Sequence, residues 1–143
     1  MKPRRAARVD ASQAPGLVLD AGALRALEHH DVTLVVALRA AHRLGLTIRI
    51  PSAALAQVWR GGPTRAPLAR LLKQPATVVT IDERAARQIG EFVAHLRLRD
   101  DARADVVDAH VALTTRATKS LVWTSDPRDM LRYGVAPAQI RTI

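Results

Sequence analysis

The run Gly16-Leu17-Val18-Leu19 is apolar without interruption and stops at Asp20, the pattern of a short strand buried on both faces. Helical spacing follows over 21–30. It resumes over 32–44, where Leu34, Leu38 and Ala41 recur at helical turns and Gly45 ends the run. Residues 47–50 alternate and are β-branched, which predicts a second strand. Pro51-Ser52 then opens a helix reaching Arg60, with Ser52 as its expected N-cap. Gly61-Gly62-Pro63 breaks the pattern before a short helix over 65–74. A third strand is expected over 77–81, and Asp82 caps a long helix running towards Leu98. After a charged break at 99–102 come a helix over 103–118 and a fourth strand over 120–124. Asp126-Pro127 opens a further helix, and 139–143 forms a last strand.

Strands alternating with helices predict one α/β domain over 16–143, a central parallel sheet of about four or five strands flanked by helices. Right-handed crossovers put every strand's C-terminal end on the same edge. Ligand crevices in such sheets lie at that edge, where strand order reverses. Acids that end strands can therefore meet although they are distant in sequence. Asp20 ends the first strand and Asp126 the fourth. Asp105 and Asp108 lie three apart in one expected helix and share a face, among the apolar neighbours Val106, Val107, Ala109 and Val111. Carboxylates so placed cost free energy unless a cation or a hydrogen-bond donor compensates them. A plainer role stays open for each. Asp20, Asp82 and Asp126 could simply cap helices. Asp108 could pair with an arginine, and Asp105 could favour the helix dipole from the first turn.

Composition narrows the chemistry. The chain of 143 residues is 48% hydrophobic, enough for a single buried core. Its net charge of +9 attracts polyanions, of which nucleic acid is the commonest; an acidic protein partner would satisfy the same field. The absence of cysteine excludes disulfides and thiolate chemistry, leaving oxygen and imidazole ligands. His42, His95 and His110 sit singly on expected helices and His29-His30 at a helix end, so they predict packed or surface side chains rather than a metal site. What remains is an oxygen-rich site suited to Mg²⁺ or Mn²⁺. Gly61-Gly62-Pro63 lacks the following Lys-Ser/Thr of a phosphate loop. Only 3% of residues are aromatic, too few for base stacking, so a nucleic acid would be held by its phosphates, with Arg25 and Arg60 as candidates. Residues 1–15, with Lys2, Arg4, Arg5 and Arg8, are expected to form a flexible basic arm. No apolar signal core or membrane-length stretch follows, so a cytoplasmic protein is expected.

Four segments taken in order carry a resemblance: Leu17-Val18-Leu19-Asp20-Ala21-Gly22-Ala23-Leu24, the stretch from Ile50 through Gln57 to Arg60, Asp105-Val106-Val107-Asp108-Ala109-His110, and Thr124-Ser125-Asp126. Together they resemble PIN-domain ribonucleases, and within these the VapC-type toxins of bacterial toxin–antitoxin pairs, over about 16–143. The resemblance implies a metal-dependent endoribonuclease that hydrolyses RNA phosphodiesters with water. It implies catalytic, metal-binding acids at Asp20, Asp108 and Asp126, with Asp105 nearby and Thr124 and Ser125 assisting. It also implies a cognate antitoxin that blocks the site, and a homodimer or toxin–antitoxin hetero-oligomer. Gln57 stands where the family usually has a glutamate, which keeps a carbonyl oxygen but removes a charge. The hydroxyl residue usual after the first aspartate is replaced by Ala21 and Gly22.

Two other functions fit parts of this pattern. Gln57 motivates a non-cleaving relative that binds antitoxin or RNA. A phosphoacceptor signalling domain would use Asp82 as acceptor and Thr124 as switch hydroxyl. That reading lacks a second acid beside Asp20 and a lysine after the last main strand.

Overall fold

A computed structural model describes residues 14–61, 66–74, 77–96 and 104–143. The expected basic arm therefore lies almost wholly outside the described residues, as does the charged break at 99–102. Five strands form one parallel sheet: β1 (Gly16–Leu19), β2 (Thr47–Pro51), β3 (Val78–Val79), β4 (Leu121–Thr124) and β5 (Ile140–Thr142). Their order is β3-β2-β1-β4-β5. The helices among the described residues are α1 (Ala21–Glu28), α2 (Val32–Arg43), α3 (Ser52–Val58), α4 (Ala66–Leu72), α5 (Glu83–His95), α6 (Val106–Thr118) and α7 (Pro127–Arg132). This is the α/β sheet that the alternating pattern predicts.

β1 occupies the centre, paired with β2 on one side and β4 on the other. All four of its residues are buried, as a strand covered on both faces must be. Leu17, Val18 and Leu19 join Leu24, Leu34, Ile50, Leu68, Val111 and Val122 in the core. Helix starts follow the acids: Asp20, Asp31, Asp82, Asp105 and Asp126 each accept a backbone N–H of the helix that follows. Gly45, at φ +67°, lets the chain turn after α2 where a side chain would be strained.

Several boundaries differ from expectation. α1 ends at Glu28, because His30 adopts a left-handed backbone. β3 is only two residues long and lies at the sheet edge, where a single partner limits it. β5 is shorter too, since Pro137–Gln139 form a 3-10 turn before it. Ser52 is not the N-cap of α3: Pro51 takes that position without a side-chain bond, and the Nδ1 of buried His110 accepts the Ala53 N–H at 3.5 Å. Asp105 caps α6 from outside the helix, so it and Asp108 do not share one helical face.

One polar side chain crosses the sheet. Arg49 on β2 is 2% exposed and donates to Ser120 Oγ at 3.2 Å, just before β4. Ser120 Oγ also accepts Gly16 N–H at 3.0 Å and meets Thr118 Oγ1 at 2.7 Å. The guanidinium thus passes the first residue of β1, where glycine leaves room. Burial lowers the Arg49 pKa, which makes these oxygens important to holding the charge.

Candidate active site

Strand order reverses at β1, with β2 and β3 on one side and β4 and β5 on the other. The crevice beyond the C-terminal ends of β1 and β4 is therefore the expected ligand position. Asp20 leaves β1 at that edge, and Ser125 and Asp126 leave β4 beside it. Asp20 is 8% exposed, and its Oδ1 accepts Ala23 N–H at 2.8 Å. The buried Thr124 hydroxyl hydrogen-bonds to the Asp20 carboxylate and accepts Asp126 N–H at 2.9 Å. One hydroxyl joins the two strand-end acids. Burial raises the Asp20 pKa, while bonds from Thr124, Ala23 and Gly22 and the charge of Arg25 oppose the rise.

α6 brings a further acid to this edge. Asp108 sits in its first turn, half-buried, with its pKa pushed up to about 6. Burial is the largest cause, followed by the charges of Asp105, Asp129, Asp20 and Asp126. Four other carboxylates therefore act on Asp108 at once. Among the described residues no arginine forms a salt bridge with Asp108, whereas Arg87 pairs with Glu83 and Arg132 with Asp129.

The capping roles of Asp20, Asp105 and Asp126 are real, but capping does not exhaust a carboxylate. Asp105 Oδ1 accepts Val107 N–H at 2.6 Å and Asp108 N–H at 3.4 Å, and Asp126 Oδ1 accepts Asp129 N–H at 3.1 Å. Each cap bond uses one oxygen and leaves the other able to face the crevice.

Asp129 belongs to the cluster and was missed in the sequence. It meets Arg132 at 3.2 Å, and burial, then the Asp126 charge, raises its pKa. The signal was present: Asp129 follows Asp126 by three residues, the spacing that brings a helix's third position back to its cap.

Other predicted residues divide. Arg25 lies close enough for its charge to act on Asp20. Arg60 folds back on its own backbone, donating to Ala56 O at 3.2 Å and Trp59 O at 2.8 Å. Gln57 is exposed on α3, a helix packed against both α1 and α6, and the structure gives it no bond to the acids. Asp82 accepts Ala85 N–H at 2.7 Å beyond the edge strand β3, two strands from Asp20. That separation removes it from the site and weakens the phosphoacceptor reading. A cavity of about 590 Å³ bounded by α5, α6 and β3 includes His110 and Arg49 in its lining but none of these acids.

Gly22 makes the crevice close. A Cβ there would overlap Ser125 Oγ and come within 3.3 Å of Asp20 Oδ1. Gly22→Ala should therefore lower stability by roughly 1–2 kcal/mol, as overpacking does. Ser125→Gly in the same chain should restore most of that loss, a coupling that urea denaturation of the double-mutant cycle reads directly. Additive effects would mean that the two residues do not meet.

The residues present can be tested against a divalent metal. Among the described residues no three His, Cys, Asp or Glu side chains are grouped closely enough to enclose an ion. Mg²⁺ does not require such a cage; it retains waters and takes one or two carboxylates. The donors here are all hard oxygens, and the field that raises Asp108 is one a cation relieves. The donor chemistry fits.

A five-stranded parallel sheet in this order, with helices on both faces, defines a PIN-like α/β fold. Solved structures that share it include those of FitAB and FitAcB. One is the structure of FitAB bound to IR36 DNA fragment, with 13% identity and a TM-score of 0.60, covering 88% of this chain and 94% of that one. The other is FitAcB from Neisseria gonorrhoeae, with 16% identity and a TM-score of 0.57, covering 84% of this chain and 94% of that one. No protein-family model and no curated protein matches the sequence. Among the described residues no helix is long and apolar enough to cross a membrane.

Proposed function

We propose that this protein is a metal-dependent endoribonuclease, the toxin of a toxin–antitoxin pair. The reading is supported by Asp20 and Asp126 leaving neighbouring strands at the switch point, and by Asp108, on which the charges of Asp105, Asp129, Asp20 and Asp126 all act. The likeness to FitAB and FitAcB, a PIN-domain toxin and its antitoxin, supports the toxin–antitoxin setting and an antitoxin partner.

In this reading Asp20 and Asp108 hold Mg²⁺ or Mn²⁺, and Asp126 is a ligand or orients a water. A divalent ion held by these carboxylates would supply a water of lowered pKa and offset charge on the phosphate oxygens. Thr124 keeps Asp20 and the start of α7 in register through its two hydrogen bonds. Arg25 beside Asp20 and the net charge of +9 draw the RNA phosphates to this edge. Asp108 is protonated below about pH 6, so metal binding and cleavage weaken as pH falls through that value.

Cleavage of a single-stranded RNA with added Mg²⁺ or Mn²⁺ tests the reading. Asp20→Asn should cut at least about 100-fold more slowly than wild type, because it removes a ligand charge while keeping the cap oxygen. Equal rates would sink the metal-nuclease assignment. A second reading, a PIN-like protein that binds antitoxin or RNA without efficient cleavage, is favoured by the neutral, exposed Gln57. A silent wild type alongside an active Gln57→Glu would select it.

A further inference from the structure

The two halves of the acid cluster reach the crevice on separate helices. Asp126 and Asp129 belong to the start of α7, Asp105 and Asp108 to the start of α6. Their spacing depends on what ties α7 to α6, and one side chain does so directly. Tyr133 follows the last residue of α7 and is 3% exposed. Its hydroxyl oxygen accepts the backbone N–H of Asp105 at 2.7 Å.

That N–H belongs to the N-cap residue of α6, and no intrahelical carbonyl is available to a donor at a helix start. The bond therefore fixes where α6 begins. Asp105 in turn caps Val107 and Asp108 N–H with its carboxylate, so the position of Asp108 follows from that of Asp105. The phenol ring is itself held. It packs on Phe92 of α5 with centroids 6.2 Å apart, and the Arg116 guanidinium of α6 lies 5.7 Å over the Phe92 ring. Gly134 follows at φ +79°, where a Cβ would come within 3.3 Å of Arg116 Nη1. The hydroxyl thus has a rigid base on α5 and α6 and a strong partner at the acid cluster. Burial, together with the charges of Asp108, Asp105 and Asp129, raises the Tyr133 pKa and keeps the hydroxyl neutral at physiological pH.

We propose that Tyr133 is a positioning residue whose hydroxyl, by anchoring the Asp105 amide, holds Asp108 at the distance from Asp126 at which both serve one divalent cation. This rests on the metal-dependent reading above. Tyr133 does not touch the reacting atoms; it acts through the start of α6.

Tyr133→Phe in the full chain keeps the ring on Phe92 and deletes only the hydroxyl, which accepts the Asp105 N–H. Mn²⁺ affinity, measured by titration calorimetry, should fall about tenfold, and kcat for RNA cleavage should fall with it while KM for RNA stays unchanged. Leu34→Val, a core change on α2 with no part in holding Tyr133, is the control for packing alone: it should lower the urea midpoint but leave Mn²⁺ affinity near wild type. A Tyr133→Phe protein that binds Mn²⁺ as tightly as wild type overturns the role, as does one whose only change is a lower urea midpoint. If that variant does not fold, hydrogen exchange on wild type decides. The Asp105 amide should be protected like amides in the second turn of α6, whereas an unbonded N-cap amide exchanges freely; free exchange overturns the proposal. A wild type that binds no Mn²⁺ refutes the metal-dependent reading itself, a result distinct from an unaffected Tyr133→Phe.

Discussion

Asp108→Asn should stabilise the metal-free protein at pH 7.5 while abolishing the RNA cleavage proposed above. The carboxyl of Asp108 is pushed up to about 6 from its ordinary value of 3.8. Between those values the folded chain binds a proton that the unfolded chain has released. Stability therefore falls as pH rises through this window, and the full cost is present above about pH 6. Complete linkage would be worth about 3 kcal/mol; Asp108 retains contact with solvent, which reduces this to roughly 1–2 kcal/mol. Asparagine keeps the shape and removes the repulsion from the four neighbouring carboxylates. Urea denaturation with a chelator present should show the variant more stable at pH 7.5 and the two proteins converging by pH 3.5. Cleavage should drop at least about 100-fold, because the same charge is needed to attract the cation. An asparagine variant that is less stable at pH 7.5 would mean that Asp108 has a favourable partner after all. Gain of stability with loss of activity marks a group held in place for function rather than for folding.

The second large effect concerns the sheet. Gly16→Ala should destabilise the protein by at least about 3 kcal/mol, at or beyond the upper range for overpacking. A Cβ at Gly16 would overlap the Thr47 carbonyl oxygen on β2 and come within 3.2 Å of Arg49 Nη1. Neither neighbour can yield cheaply. The carbonyl is backbone in a strand paired with β1, and the guanidinium is buried against Ser120. Displacing it would disturb the bond of a buried cation to Ser120 Oγ. Gly90 is the natural comparison, since a Cβ there meets nothing within 4 Å on helix α5. Gly90→Ala should be neutral or stabilising by up to about 1 kcal/mol. Thermal or urea unfolding of the two variants separates the cases, and a Gly16→Ala protein as stable as wild type would show that the sheet accommodates the methyl group.

Asp20 and Asp126 are legible as strand-end acids because strand ends and periodicity are local. Leu17-Val18-Leu19 before Asp20, and the apolar run before Asp126, predict buried strands whatever surrounds them, since two such faces must be covered. Alternation with helices then fixes parallel pairing and a common edge. The resemblance to PIN-domain ribonucleases added the residues, and the fold agrees with it. Short-range capping was legible for Asp82 and Asp126 for the same reason.

What the chain's own order could not reveal is every contact made across the fold. Asp105 looks like a helical partner of Asp108 in one dimension, yet it stands outside α6, and a tyrosine 28 residues away holds its amide. His110 replaces Ser52 at the start of α3 from 57 residues away. Nothing local to Arg49 marks it for burial, yet it is buried, and Ser120, 71 positions on, supplies an oxygen to it. Asp129 joins the site because α7 turns its first turn towards Asp126 and Asp108. By itself the sequence determined the order of elements, the parallel sheet and the edge at which acids end strands, since each follows from backbone geometry and the burial of apolar side chains. Only the tertiary structure decided which carboxylates share one field and what sets their spacing, because hydrogen bonds and charge repulsion depend on distance in space and not along the chain.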